Sequence, residues 1–523
     1  MIDATSHQHA VKLFYSYAPS DENLRKELED HLALRRANII GQDDLIDKAS
    51  AANIAKAKEI VWAVDGLPLA LDQAGAYIEE TSCSLARYLD LYQKQHEKLL
   101  KRRGNTAAEH DHPKPVANTW EISFKKVEEA NPAAADLLRL CAFLAPDAIP
   151  EKIIIEGAEE LGPTLQAIAE DPLELDAAIE ELRKYSLVKR DRDAQTLTVH
   201  RLVQVVLRDE MDEEMQKQWA KRVVQTVNCV FPSGKYGTWA ECERLLPHVR
   251  TCAELIKQED MALAEAARLL NLAGYYLRQR AQYTKAELLY QQALTIAEKV
   301  FGPDHLNVAT ICNNLGLLYK KQGRYTQAEP LYRQALAIRE KVLGPEHPDV
   351  AMGLNNLAVL YVNQGKYTEA EPLYQQALIT CEKLLGPQHS DVATILNNLA
   401  SLYHDQGMYA QAEPLFKRVQ AIDEQLYGLE HPDVAIDLSN LASLYKGQMK
   451  YAQAEPLYQR ALAIYEKIFE DGHPYMARVL ENYADLLRKM KREDEAGKLE
   501  ERVQEIQKRH TQENQGEGQA DIF

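Results

Sequence analysis

The sequence predicts a mainly α-helical chain whose C-terminal half is an α-solenoid, preceded by a helical region with a strand-turn-strand element and, first of all, a short α/β segment. Three observations carry this. A unit of 42 residues recurs five times, since Tyr283, Tyr325, Tyr367, Tyr409 and Tyr451 are evenly spaced, as are Ala286, Ala328, Ala370, Ala412 and Ala454. Fixed self-similarity of this length marks stacked supersecondary units. Each unit holds two apolar-periodic stretches, separated by Gly323 in the best-kept copy. Each is also closed by a Gly-Pro-rich string such as GPEHPDV, which is punctuation between helices.

The copy from Ile311 to Met352 shows the logic. Leu315, Leu318 and Tyr319 give the first helix its apolar stripe, and Gly323 ends it. The second helix is expected to open on a capping box, Thr326 with Glu329, repeated by Thr284/Glu287 and Thr368/Glu371; Ala410 and Ala452 lack the hydroxyl. Pro330 is expected in its first turn, where a missing N–H costs least. Gly344-Pro345 ends it, and Pro348 suits the first turn of the next helix.

Gly316, Tyr319, Ala328, Tyr332 and Ala335 fall where tetratricopeptide repeats carry their small and aromatic packing residues. The 42-residue length, with LNNLA and GPEHPDV, resembles the kinesin light chain variety. The resemblance covers residues 269–478 and implies a right-handed superhelix whose first helices line a concave groove. From Val479 the pattern departs, Glu493 replacing the repeat Tyr and Gly497-Lys498 replacing Glu-Pro, so residues 479–510 are expected to cap the array. Residues 511–523 are expected to be a disordered tail.

Composition narrows the function. A formal charge of −18 disfavours nucleic acid or an anionic membrane as partner, because phosphate binding rests on clustered Lys and Arg. MIDATSHQHAVKLFYSYAPSD has no apolar core of signal-peptide length, so the expected location is cytoplasmic. The cysteines at 83, 141, 229, 242, 252, 312 and 381 are odd in number, scattered and never in a CxxC pair. Buried free thiols are expected.

Upstream, GLPLALDQAGAYI (Gly66–Ile78) resembles the GLPL motif of NB-ARC nucleotide-switch proteins, and SLVKRDRDAQTLTVHRLVQVVL resembles the winged-helix end of that family. The resemblance implies that Pro68 would lie beside an adenine and that His200 would reach a phosphate; Arg201 stands where many relatives have Asp. A phosphate-binding loop, however, needs GxxxxGK[ST], whose glycines let backbone amides cradle the phosphates. No such string occurs in this chain, and the Gly-Lys pairs at 234, 365 and 497 are followed by Tyr, Tyr and Leu. Pro68 is therefore expected to start a helix and His200 to pack at a strand-helix junction, with no cofactor bound. VKLFYSYAPSDENLRKELEDHLALRR resembles the first strand and helix of a TIR domain, over residues 1–35 only. The part of that domain carrying the catalytic glutamate of NAD-cleaving members is not identifiable, which suggests an internal deletion near Leu34.

Two further patterns are read as structural. His305, His347, His389, His431 and His473 recur every 42 residues but fall in successive loops, so loop packing or capping is expected rather than metal binding. Lys189, Arg190 and Arg192 sit on the expected wing, interleaved by Asp191 and Asp193, and are expected to form a solvated turn.

The first helices carry two amide spokes, Asn314, Asn356, Asn398, Asn440 and Asn482 on one and Asn271, Asn313, Asn355 and Asn397 on the other. An amide donates and accepts, so a ladder of them suits an extended peptide backbone; the alternative is that it ties neighbouring helices together. Arg278, Lys320 and Lys321 make one end of the groove basic, while Val362, Asn363, His404 and Asp405 replace charge with mixed polarity. The resulting organisation is 1–35 TIR-like, 36–110 NB-ARC-like helical, 111–215 winged-helix-like, 216–268 a helical connector, 269–478 five repeats, 479–510 a cap and 511–523 a tail. The expected function is a non-enzymatic scaffold for a peptide or protein partner, the alternatives being an ADP-binding signalling switch and an NAD-cleaving TIR enzyme.

Overall fold

In the computed structural model the described residues are 56, 59–60, 63, 68–81, 83–103, 114–234, 236–468 and 474–519. The TIR-like segment 1–35, the Gly66-Leu67 pair and His473 lie outside them. The chain divides between Val300 and Phe301 into two compact units.

The first unit opens with α1 (Pro68–Thr81), α2 (Leu85–Arg103), α3 (Lys114–Ala130) and α4 (Pro132–Ala142). Pro68 starts a helix, as expected. Asn131 caps α4, its side-chain oxygen accepting from the amides of Ala133 and Ala134 at 3.1 Å each. Then come β1 (Ile149–Pro150), α5 (Glu151–Glu156), α6 (Pro163–Glu170), α7 (Pro172–Lys184), β2 (Lys189–Asp191), β3 (Thr196–Thr198) and α8 (Arg201–Glu210). The strands form an antiparallel sheet in the order β1-β3-β2, with Leu197 opposite both Ile149 and Arg190. The helix-strand-turn-strand-helix order expected upstream of the repeats is therefore present. Gln204 on α8 ties this region together, its Nε2 donating to the carbonyls of Cys141 (2.7 Å) and Leu144 (3.0 Å).

The wing corrects one expectation. Arg190 is no solvated residue: its side chain is 12% exposed and forks onto Glu151, Nε to Oε1 at 2.6 Å and Nη2 to Oε2 at 2.8 Å, while Nη1 meets Asp176 at 2.6 Å. The β1-β3-β2 order brings Glu151, just after β1, across to β2. Arg192 pairs with Glu180 at 3.0 Å, and exposed Asp191 accepts through Oδ1 from the turn amides of Asp193 and Ala194.

Segment 216–268, expected as a helical connector, holds most of a helix pair, α9 (Glu213–Val230) and α10 (Trp239–Gln258). Both pack on α11 (Ala264–Gln279), where Arg268 donates to the backbone and side-chain oxygens of Asn228. Buried His248 on α10 accepts from the Ala145 amide at 3.2 Å, and burial pushes its pKa down to about 4, so it packs as a neutral ring. The unit ends with α12 (Tyr283–Phe301).

The second unit is a run of antiparallel helix pairs: α13 (Leu306–Lys321) with α14 (Tyr325–Leu343), α15 (Pro348–Asn363) with α16 (Tyr367–Leu385), α17 (Ser390–Asp405) with α18 (Tyr409–Tyr427), α19 (Pro432–Gly447) with α20 (Tyr451–Ile468), and α21 (Pro474–Lys489) with α22 (Glu493–Gln519). This is the expected solenoid architecture. α22 continues to Gln519, past Thr511 where the tail was expected to begin; no Pro interrupts that stretch, so helix propagation carries on. Among the described residues no helix is long and apolar enough to cross a membrane.

Six cysteines are buried, and Cys229 corrects the expectation by being exposed. A thiol reagent is therefore expected to modify Cys229 rapidly and the other six only on unfolding; rapid modification of a second site would contradict this packing.

Candidate peptide-binding groove

The α13/α14 pair closes through a small residue against an aromatic ring. A Cβ placed on Gly316 of α13 would lie 3.2 Å from the Tyr332 ring of α14, which is 1% exposed. Alanine fills the equivalent place in the following pairs, with Ala358, Ala400 and Ala442 all buried.

Turns between pairs follow from the sequence punctuation. Gly344, Gly386 and Gly428 have φ near +87°, +86° and +87°, a positive-φ conformation that ends α14, α16 and α18. The repeat histidines then cap the next helix: Nδ1 of His305, His347, His389 and His431 accepts from the amide two residues on, at 3.1 to 3.3 Å. Capping, one of the two structural roles expected, is what the structure shows for these four. His200 does the same for α8, accepting from Leu202 at 3.2 Å, at the strand-helix junction where it was expected.

The expected capping box is absent from α14 and α16. α14 begins at Tyr325 after Arg324, with no side-chain cap, so Thr326 lies within the helix and Pro330 is interior, beyond the first turn. Glu329 is committed elsewhere. Its Oε1 accepts from Tyr361 Oη on α15 at 3.1 Å and from Arg333 Nε at 3.0 Å. The same phenol-carboxylate latch recurs as Tyr403 to Glu371 (2.7 Å), Tyr445 to Glu413 (3.1 Å) and Tyr483 to Glu455 (3.0 Å). Burial first, then the carboxylate's hydrogen bond, raises the pKa of Tyr361 and of Tyr403. Sequence reading missed this latch, though its signal is visible: a Tyr lies 32 residues after the Glu in the first three cases.

The two amide spokes meet one another. Asn356 Nδ2 donates to Asn313 Oδ1, Asn398 to Asn355 and Asn440 to Asn397, each at 2.9 Å. The ladder thus ties α13 to α15, α15 to α17 and α17 to α19. Each bond leaves the donor one N–H and its carbonyl, and Asn356, Asn398 and Asn440 are half-buried, whereas Asn355 is 2% exposed. Ser439 stands where a further acceptor amide would be, and Asn482 makes no amide pair. Asn314 and Lys320 are half-buried, and Lys321, Asn363 and Asp405 are exposed. His404 faces Asp405 at 3.3 Å. Asn271 and Arg278 belong to the first unit, where Arg278 lies over the Tyr275 ring at 5.1 Å.

Comparison with known proteins agrees with this geometry. A tetratricopeptide-repeat family model matches in overlapping windows from residue 265 to residue 509, and a domain of unknown function, DUF7779, matches 125–216. A nucleotide-binding leucine-rich repeat (NLR)-like protein from Hyaloscypha variabilis is 30% identical over 275 residues, covering 50% of this chain and 26% of the relative. The chain thus spans about a quarter of that curated relative's length. Among solved structures, BtubC (BKLC) from P. vanneervenii is 26% identical, covers 49% of this chain and 94% of its own, and has a TM-score of 0.35. A putative kinesin light chain from Podospora anserina with nearly identical repeats is 27% identical, with coverages of 39% and 96% and a TM-score of 0.34. A STAND signal-transduction ATPase with a tetratricopeptide repeat sensor, from Pyrococcus horikoshii, is 12% identical, with coverages of 86% and 74% and a TM-score of 0.38. Helix pairs, small-residue contacts and the family match together make residues 265–509 a run of tetratricopeptide repeats.

Proposed function

We propose that this chain is a non-catalytic, cytoplasmic scaffold that holds an extended peptide or protein segment along the first-helix face of its repeats. The observation carrying this reading is the spare hydrogen-bonding capacity of half-buried Asn356, Asn398 and Asn440, one N–H and one carbonyl each, repeated along successive helices. A backbone laid across them finds donors and acceptors at regular intervals whatever its side chains. Specificity then falls to the residues beyond the ladder, basic at Lys320 and Lys321 and mixed at Asn363, His404 and Asp405. The test is affinity selection of unstructured peptides on the full chain, followed by titration of a selected peptide against Lys321→Glu. Weaker binding of acidic peptides is expected; indifference to Lys321 would remove it from the groove.

The NLR-like relative, the GLPL string and the three-stranded sheet support a place among NB-ARC-type signalling proteins, and with it a second reading as an ADP-regulated switch. His200 argues against that reading, because its Nδ1 already accepts from Leu202 and no GxxxxGK[ST] string occurs in the sequence to join it. Calorimetry with ADP and magnesium is expected to show no binding heat. A micromolar interaction lost in His200→Ala would establish the switch instead. The TIR-like stretch supports no catalytic centre, and NAD is expected to survive incubation; nicotinamide release above a buffer control would reverse that.

A further inference from the structure

The junctions between helix pairs are filled differently in each copy of the repeat. At one pair of equivalent positions, 42 residues apart along the chain, stand Arg339 and Gly353, then Cys381 and Ile395, then Asp423 and Asp437, then Tyr465 and Val479. Cys381, Ile395, Tyr465 and Val479 are fully or almost fully buried, so this is a core position, and in the third case it holds two carboxyl groups. Asp423 on α18 is 8% exposed and Asp437 on α19 is 4% exposed; in the Arg339/Gly353 copy a Cβ on Gly353 would lie 3.7 Å from Arg339 Nη1, so the two positions face each other, and Asp437 Oδ2 is buried with no hydrogen-bond partner.

Two carboxylates in contact away from water cannot both ionise. Charged groups around the pair do not relieve it. Asp433 of α19 and Glu424 of α18 add negative charge, and Arg460 of α20 is held by Glu424 at 2.9 Å. His431, the cap of α19, opposes them only when protonated, and its Nδ1 lies 3.5 Å from Asp433. Burial first, then the neighbouring Asp423, raises the pKa of Asp437 far above the carboxylate range, and burial raises that of Asp423.

We propose that Asp423 and Asp437 share one proton across the α18/α19 junction, so that this junction tightens on acidification and loosens as pH rises. The sign follows from linkage. The closed junction keeps a proton that the opened, hydrated carboxyls release above their ordinary range near about pH 4. Opening therefore releases one proton, and its equilibrium constant rises about tenfold per pH unit up to the raised value of the closed pair. The inference stands independently of what the groove binds, and it bears on the groove because Asn440, which bonds Asn397 of α17, sits on α19 beside Asp437.

Hydrogen exchange by mass spectrometry on the full chain tests it, between about pH 5.5 and about pH 8, where ordinary carboxyls are ionised. After correction for the intrinsic exchange rate, protection of α18 and α19 is expected to fall by close to tenfold per pH unit. Protection of α13 and α14 serves as the internal reference and is expected to stay level. Asp437→Asn, which keeps a hydrogen-bonding group without the shared proton, is expected to abolish the slope. Asp437→Ile, which copies Ile395 of the preceding junction, is a second variant should the first lose its fold, and is also expected to give a flat profile. A level profile in the unsubstituted protein, or the same slope in it and in a folded variant, would overturn the proposal.

Discussion

Arg190→Ala is expected to destabilise the first unit by about 3 to 5 kcal/mol, the usual cost of removing one partner from a buried ion pair. Glu151 is 6% exposed at its side chain and takes both of its hydrogen bonds to this pair from Arg190, so the substitution strands a carboxylate in the interior and also releases Asp176. The loss is far above the 0 to about 1 kcal/mol of a surface pair, and that difference is what separates a packed β2 from a solvated turn. Tryptophan fluorescence reads the effect selectively, because all four tryptophans (Trp62, Trp120, Trp219 and Trp239) lie before residue 300. The urea midpoint by fluorescence should drop sharply in Arg190→Ala. It should recover when Glu151 is also replaced by Leu, since the stranded charge is then gone. An unchanged midpoint in the single variant would return Arg190 to the solvent.

The Asn356→Ala, Asn398→Ala double variant is expected to unfold the second unit at lower temperature. Asn398 is the partner of Asn355, and its removal leaves the Asn355 oxygen unsatisfied in a residue 2% exposed, at about 1 to 3 kcal/mol. Loss of Asn356 frees Asn313, which is half-buried and partly rehydrated, so its cost lies at or below the lower end of that range. At about 2 to 4 °C per kcal/mol for a body of this size, the helical melt should move down by several degrees. Circular dichroism records it, while the fluorescence transition of the first unit should stay in place. Melting unchanged by the double substitution would mean that the amides do not tie the helices.

What was readable in the sequence was whatever repeats. The helix pairs, the glycine turns at 344, 386 and 428 and the capping histidines each recur at one spacing with a local cause, so the chain states them several times over. The groove was legible in part. Sequence placed the asparagines on two spokes, but that the spokes bond each other depends on the offset of 43 residues between donor and acceptor, which only stacking of neighbouring pairs creates. Contacts between distant positions were the unreadable part. Glu329 looked like half of a local capping box because Thr326 precedes it, and the structure gives it instead to Tyr361, 32 residues on. Arg190 looked solvated because aspartates flank the wing, while Glu151 reaches it only through the sheet order. The α9/α10 pair carries no repeat Tyr or Ala at the expected spacing, so nothing local marks these helices as a packed pair.

The claim that the first-helix face holds the ligand is tested most directly by site-specific photo-crosslinking in the full chain. A photoreactive phenylalanine analogue replaces, one at a time, Asn363 on α15, Asp405 on α17 and Ile379 on α16, all three exposed. The first two lie on first helices and the third on a second helix, where Ile379 is 66% exposed and equally open to a passing peptide. With a peptide selected by affinity, adducts are expected at 363 and 405 and not at 379. An adduct confined to position 379 would contradict the groove and place recognition on the opposite helices.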